Sequence, residues 1–191
     1  MDNTGAAVKI RMASADDAAA ILELYRDVAA IPGGLARLHS EIDMGYVGNF
    51  VNRSLDNGVV LVAENAAGQI IGEIHAYSPG LFCFSHVLSD LTIAVASNWQ
   101  GSGIGRRLFQ SLLDNVTEDR PDILRIELIA RESNSNALRF YESLGFEREG
   151  RLAGRIRNVD GSLECDIPMG WCRAGAGVGP PYPPETLKKT G

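Results

Sequence analysis

Cysteine and histidine are scarce in this chain, three of each in 191 residues, and neither clusters. Cys83, Cys165 and Cys172 show an odd count and no CxxC spacing, so a disulfide framework fits poorly and reduced, mostly structural thiols are expected. Cys83-x-x-His86 is the one pair at ligand-like spacing. Two ligands do not make a zinc site, so no metal is expected. A basic surplus is missing as well, and the formal net charge of −6 argues against a nucleic-acid binder. No apolar run approaches membrane-spanning length, and Met1-Asp2-Asn3-Thr4-Gly5 carries neither a basic nor an apolar leader region. A soluble, cytoplasmic protein without a membrane or nucleic-acid partner is therefore expected. The Gly-x-Ser-x-Gly elbow of serine hydrolases is absent too. What remains is a chain 45% hydrophobic and 22% charged, of a length that suits one globular domain with a real core.

The most informative stretch runs from Leu91 to Leu108. Leu91, Ile93 and Val95 alternate with Thr92 and Ala94 as one face of a strand would, while Ile104, Leu108, Phe109, Leu112, Leu113 and Val116 recur at helical spacing. Between them lies Gln100-Gly101-Ser102-Gly103-Ile104-Gly105-Arg106-Arg107. Glycines there let the backbone approach a ligand closely, and the following helix N-terminus adds converging N–H groups, which together bind an anion without dedicated side chains. Two arginines oppose the helix dipole at that end, a conflict that an anionic ligand resolves. The dinucleotide pattern GxGxxG fails in both frames, because Arg106 and Leu108 stand where the third glycine is required. The P-loop fails for want of Gly-Lys-Ser/Thr.

Upstream, Val8 to Met12 reads as a short strand, and Ser14-x-x-Asp17 caps a helix carrying Ile21, Leu24, Tyr25 and Val28 on one face. Ile31-Pro32-Gly33-Gly34 breaks it. A second helix is predicted from about Ser40 to Leu55, closed by Asn57-Gly58. Val59 to Ala63 and Ile70 to Tyr77 form a hairpin about a polar turn at Asn65 to Gly68. Beyond the helix after the glycine loop, Ile123 to Ala130 reads as a strand joined by a crossover, hence parallel to Leu91–Val95 and its neighbour. Should that pair splay, it leaves a crevice beside the glycine loop. Asn134 or Ser135 caps a short helix that Gly145 ends, and Asp160-Gly161 marks a hairpin returning through Leu163 to Met169. From Arg173 the composition turns to glycine and proline, so residues 173–191 are expected to form a flexible tail after a single domain of residues 1–172.

Gln100, Gly103 and Gly105, in the pattern Gln-x-x-Gly-x-Gly after a strand, resemble the acetyl-CoA pyrophosphate loop of the GNAT (GCN5-related) N-acetyltransferase superfamily. About thirty residues after that loop, Asn134-x-x-Ala137-x-x-Phe140-Tyr141-x-x-x-Gly145-Phe146 resembles its second signature. The resemblance covers roughly Val8 to Trp171. It implies an α/β (α+β) fold in which a central mixed, mostly antiparallel twisted sheet has a parallel strand pair splayed at the cofactor cleft and helices on both faces. It also implies acyl transfer from acetyl-CoA to a primary amine of a small molecule or peptide, without metal. Gln100, Gly101, Ser102, Gly103, Ile104, Gly105 and Arg106 match the pyrophosphate loop; Ile93, Ala94 and Val95 match the strand whose backbone holds pantetheine and the acyl carbonyl. Asn134 matches the polar residue near the pantetheine arm, and Tyr141 the hydroxyl near the CoA sulfur that acts as general acid.

The general base is left open. Asp90, which enters the central strand, and Glu73, on the preceding one, are the leading candidates, followed by His75, His86 and Glu127. Arg37, His39, Glu41, Asp43 and Tyr46 should line the acceptor side, a mixed-sign set that fits a small zwitterion or a peptide N-terminus. The alternatives are a CoA-binding sensor or partner-binding module without turnover and, on the glycine loop alone, a nucleotide-binding regulatory domain. A homodimer stays open as well.

Overall fold

The computed structural model describes residues 7–31, 35 and 37–177. The predicted break at Pro32-Gly33-Gly34 and the glycine- and proline-rich end from residue 178 lie outside the described residues. The first strand, β1 (Lys9–Met12), leads to a turn in which the Ser14 amide donates to Asp17 Oδ2 at 2.8 Å. Helix α1 (Ala18–Ala29) then buries Ile21, Leu22, Leu24, Tyr25 and Val28. Helix α2 (Met44–Asn57) begins later than its apolar spacing predicts, because Asp43 Oδ1 accepts the Tyr46 amide at 2.8 Å and His39–Glu41 forms a separate 3₁₀ turn.

Strands β2 (Gly58–Glu64) and β3 (Ile70–Tyr77) pair antiparallel, and Asn65 Oδ1 closes their turn by accepting the amides of Ala67 and Gln69. Strand β4 (Val87–Val95) starts four residues before the predicted Leu91, since Val87 and Leu88 are buried and pair with the next parallel strand. Helix α3 (Ile104–Asp119), strand β5 (Arg125–Arg131), helix α4 (Ser135–Glu142) and strands β6 (Glu147–Arg148), β7 (Leu152–Arg157) and β8 (Leu163–Cys172) complete the chain. The sheet order is β1-β2-β3-β4-β5-β8-β6, with β7 added against β8. Among the described strands only β4 and β5 run parallel, so the sheet is mixed and mostly antiparallel, as expected.

Alternation along β2 explains the layers. Val59, Leu61 and Ala63 face a core formed with α3, while Val60 and Val62 face a second core formed with α1 and α2. A strand covered on both sides reads as a continuous apolar run, which is how its sequence looks. Gly72 on β3 lets α3 sit close, for a Cβ there would stand 3.0 Å from Leu108 Cδ1 and 3.2 Å from Ile104 Cγ2. Arg173, the first residue of the predicted tail, is anchored: its guanidinium donates to the carbonyls of Val116, Arg120 and Ile123 at 2.6, 2.9 and 2.9 Å. It thereby satisfies the Val116 carbonyl near the end of α3 and ties that end to the turn leading into β5.

Candidate active site

Pairing between β4 and β5 consists of Val87 with Arg125 and Leu88 with Ile126, after which the two strands part. Beyond Leu88, the β4 residues that have a ladder partner, Ser89 and Thr92 to Val95, find it on the β3 side alone. The opening leads to the glycine loop. Gly101 and Gly103 adopt φ of 75° and 85°, with nothing within 4 Å of where a Cβ would stand, so the loop needs glycine for its backbone and leaves space beside it. Gln100 Nε2 donates to the Val95 carbonyl at 3.1 Å, and the Ser102 hydroxyl donates to the Trp99 carbonyl. These bonds tie the loop to the strand that feeds it. Among the described residues the amides of Gly101, Gly103, Ile104, Gly105 and Arg106 have no backbone acceptor outside the helix, and the first intrahelical bond at this end is from Arg107 N to Gly103 O. Such a set of unpaired N–H groups at the start of a 16-residue helix fits a diphosphate.

The two arginines diverge. Arg106 reaches α4, donating to Ser143 Oγ at 3.0 Å and lying over the Phe140 ring, whereas Arg107 crosses to β1 and donates to Val8 O at 2.7 Å. Only Arg106 stays beside the splayed strands; Arg107 serves the packing of α3 on the sheet edge. Asn134 caps α4, its Oδ1 accepting the Ala137 amide at 3.1 Å, and remains exposed. Tyr141 packs half-buried among Phe109, Phe140 and Phe146. Its hydroxyl makes no hydrogen bond among the described residues, and burial pushes it up to about 12. A phenol of that kind keeps its proton at neutral pH and is suited to donate.

At the other end of β4 a cavity of about 1280 Å³ opens between the two helices α1 and α2 on one side and β5 and the β7–β8 hairpin on the other. Asp90 lies on its wall. This is the one non-glycine residue with positive φ, 53°, among those described, and it sits where the β3–β4 register slips between His75 and Tyr77. A bulge of this kind re-aims a side chain at the cost of about 1 kcal/mol of backbone strain. Asp90 has no cationic partner among the described residues. On the far wall Arg155 pairs with Asp166 at 2.9 Å, Arg131 with Glu164 at 2.9 Å and Glu127 with Arg125 at 2.7 Å, while Arg157, which also lines the cavity, has no acidic partner among the described residues.

Glu73 does not line the cavity. It is fully buried beneath it, accepting Tyr25 Oη at 2.6 Å on Oε2, with His75 Nδ1 at 3.0 Å from Oε1. Its route to the cavity runs through His75, which does line it. Arg37, His39, Glu41 and Tyr46 also line it as predicted, with Arg37 stacked over the Tyr46 ring at 4.0 Å. Asp43 is spent on capping α2, and His86 uses its carbonyl to accept the amides of Leu124 and Arg125. Sequence reasoning misses Arg155 and Arg157, which line the cavity, and Tyr25, which bonds to Glu73 beneath it. Tyr25 fits the apolar stripe of α1 at helical spacing, which hides its hydroxyl, and the hairpin of Arg155 and Arg157 reads as a turn with no sign of what it faces.

Residues 56–148 match the family model described as the acetyltransferase (GNAT) domain. The chain is 42% identical over 71 residues to the N-alpha-acetyltransferase RimI of Mycobacterium tuberculosis, an alignment that takes in 37% of this chain and 41% of that relative. Less than two thirds of that curated relative's length is thus matched. Among solved structures, the ribosomal-protein-alanine N-acetyltransferase of Brucella melitensis superposes with a TM-score of 0.74 at 27% identity, over 86% of this chain and 99% of that one. A phosphinothricin acetyltransferase of Sinorhizobium meliloti, solved in complex with acetyl-CoA, superposes with a TM-score of 0.70 at 18% identity, over 93% and 94% of the two chains.

Proposed function

Because this chain belongs to the GNAT acetyltransferase superfamily, we propose that it transfers the acetyl group of acetyl-CoA to a primary amine of a small molecule or peptide by direct attack on the thioester. One observation carries this reading: β4 joins a backbone loop of unpaired amides at its C-terminal end to a cavity near its other end whose Asp90 carboxylate has no cationic partner among the described residues. The first suits a diphosphate and the second a protonated amine. Gln100 to Arg106 hold the diphosphate, Asn134 and the backbone of Ile93, Ala94 and Val95 hold the pantetheine arm, and a bound thioester supplies an already activated acyl carbon.

The chain's own residues then orient the amine and manage protons. Asp90 attracts the ammonium into the cavity. One of its protons passes to a base, either Asp90 through water or Glu73 acting through His75, and the freed nitrogen lone pair bonds to the carbonyl carbon as the carbon–sulfur bond breaks. Backbone donors on β4 stabilise charge developing on the carbonyl oxygen. Tyr141 gives its proton to the departing sulfur and is reprotonated from the new amide nitrogen, so one proton is released per turnover. The three cysteines are unpaired thiols, which supports a reducing, cytoplasmic setting.

The acceptor class is open between a peptide N-terminus and a small amino compound, the two kinds that the names of the Brucella and Sinorhizobium proteins carry. Thiol release from acetyl-CoA with an alanine-initiated tetrapeptide, phosphinothricin and a wider amine panel, followed by product mass, tests the reading. Amine-dependent thiol release with a product 42 Da heavier, the mass of an acetyl group replacing hydrogen, is expected. Tight CoA binding with no amine-dependent release would instead make the chain a CoA-binding module.

A further inference from the structure

Two ionisable side chains that the sheet could have filled with valine or leucine sit side by side in the α1/α2 core. Glu73 is 0% exposed and His75 is 2% exposed. They alternate along β3 on the face opposite Ile74 and Ala76, and Tyr25 of α1 closes the group, its hydroxyl 2.6 Å from Glu73 Oε2 and 3.4 Å from His75 Nδ1. Burial, first, and then the Glu73 charge hold the Tyr25 hydroxyl well above its ordinary value, so it stays protonated and donates to the carboxylate. With one carboxylate oxygen taken by Tyr25, the other, Oε1, faces His75 Nδ1 at 3.0 Å. A carboxylate accepts and does not donate, so the imidazole proton belongs on Nδ1. Nε2 then carries a free lone pair.

The direction of that lone pair is fixed by the rings packed around His75. The His75 ring is clamped face to face by Phe50 at 3.9 Å and 10°, and stands parallel to Tyr77 at 6.0 Å and 1°. It cannot swing. His75 lines the acceptor cavity although almost none of it is exposed, and neither ring nitrogen is left as a buried atom without a partner. Since Nδ1 is committed to Glu73, the edge that meets the cavity is the Nε2 edge. His75 also pairs with Thr92 across the sheet, one residue before Ile93 on β4 and one strand spacing, about 4.8 Å, from the backbone proposed to hold the acyl group.

We propose that His75 is the proton acceptor for the incoming ammonium, held in the Nδ1–H tautomer by Glu73, which Tyr25 in turn positions. This rests on the acetyl-transfer reading and assigns its open step. The ammonium N–H bond breaks, its proton goes to Nε2, and the resulting imidazolium is balanced by the Glu73 carboxylate until solvent takes the proton. The other groups around the ring are Tyr77 on β3, Tyr46 on α2 with Arg37 above it, and Thr92 and Asp90 on β4. Asp90 is the more exposed carboxylate and serves to attract the cation.

Two measurements test this separately from the transferase reading. In the whole protein with ¹⁵N-labelled imidazoles, long-range ¹H–¹⁵N correlation should show neutral His75 protonated at Nδ1 and bare at Nε2, and Glu73→Leu should remove that preference. A proton on Nε2 in the wild type, or a tautomer unchanged in Glu73→Leu, would overturn the assignment whether or not any amine is turned over. With whichever of the tetrapeptide or phosphinothricin the wild type acetylates, His75→Gln should lower kcat/KM about a hundredfold at pH 7, the gap closing as pH rises and free amine accumulates, with the acetyl-CoA Kd unchanged. Tyr25→Phe, which keeps the packing, should cost about tenfold with the same pH trend. A His75→Gln protein with the wild-type pH profile, or with an equal loss at every pH, would refute a proton-transfer role.

Discussion

The two halves of the site are built on different plans. The glycine loop is made by neighbours in sequence: the residues from Val95 to Arg106 bend and expose their amides, and the proposed diphosphate site uses backbone that any sequence possesses, provided glycine stands at Gly101 and Gly103. The acceptor cavity is made by side chains from α1, α2, β3, β4, β5 and β7, brought together across more than a hundred residues. A backbone site recognises one invariant ligand feature, a diphosphate, and tolerates little change. A side-chain site can be retuned one residue at a time, which is why the loop identifies a superfamily and the cavity does not identify the acceptor.

The most damaging way to test that contrast is Gly103→Asp. It places a negative charge among the unpaired amides and forces φ of 85° on a residue with a Cβ, at about 1–2 kcal/mol, within the stability of an ordinary domain. Calorimetry should show CoA affinity lower by at least a hundredfold, about 2.7 kcal/mol, with cooperative melting retained. Unchanged affinity would sink the loop as the diphosphate site. Tyr141→Phe comes next. It removes only a hydroxyl that has no protein partner among the described residues, so a purely packing role leaves turnover near normal. The general-acid role requires a fall of about a hundredfold in single-turnover rate, with CoA affinity and melting temperature held, and rapid-quench measurement decides between them.

Asp90→Gly sharpens the cavity side. Glycine adopts φ of 53° without strain but loses more chain entropy on folding, so the variant should keep its stability to within about 0.5 kcal/mol while kcat/KM for the amine drops about tenfold. Loss of both stability and activity would mean the bulge needs the carboxylate for its own shape. The smallest effect lies outside both halves. Arg11 holds the Asp17 carboxyl down to about 2, from an ordinary 3.8, through hydrogen bonds at 2.8 Å. Because the folded-state value is the lower one, this stabilisation is complete above about pH 4 and is lost as pH falls toward 2. Screening at a partly exposed pair limits it to about 1 kcal/mol. Asp17→Asn should remove that much stability at pH 7 and progressively less as pH falls through about 2, by denaturant titration, with both halves of the site unaffected.

Tyr25, Glu73 and His75 show why part of the site escapes a reading of the chain. Each fits its local pattern, a stripe position on α1 and alternate positions on β3, and local periodicity reports only which face a residue takes. Breaking such a buried charged group by removing one partner costs about 3–5 kcal/mol, yet nothing adjacent in sequence signals that the partners meet. Asn134 marks the opposite case. Its helix-cap role follows from the residues around it and is present in the folded chain.

Short-range rules were enough to determine the strand, turn and helix around Gly101–Gly105, the β2–β3 hairpin, the α4 cap and, through the crossover rule, the parallel β4–β5 pair, because each depends on dihedral preference and periodicity over a dozen residues or so. Only tertiary packing decided that Arg106 and Arg107 part company, that Asp43 is spent on a cap, that Asp90 is turned into a cavity by a bulge and that Glu73 lies beneath it with His75 between. Those outcomes depend on which distant side chains arrive at the same place, and that is set by the closing of the sheet and its helices around two cores.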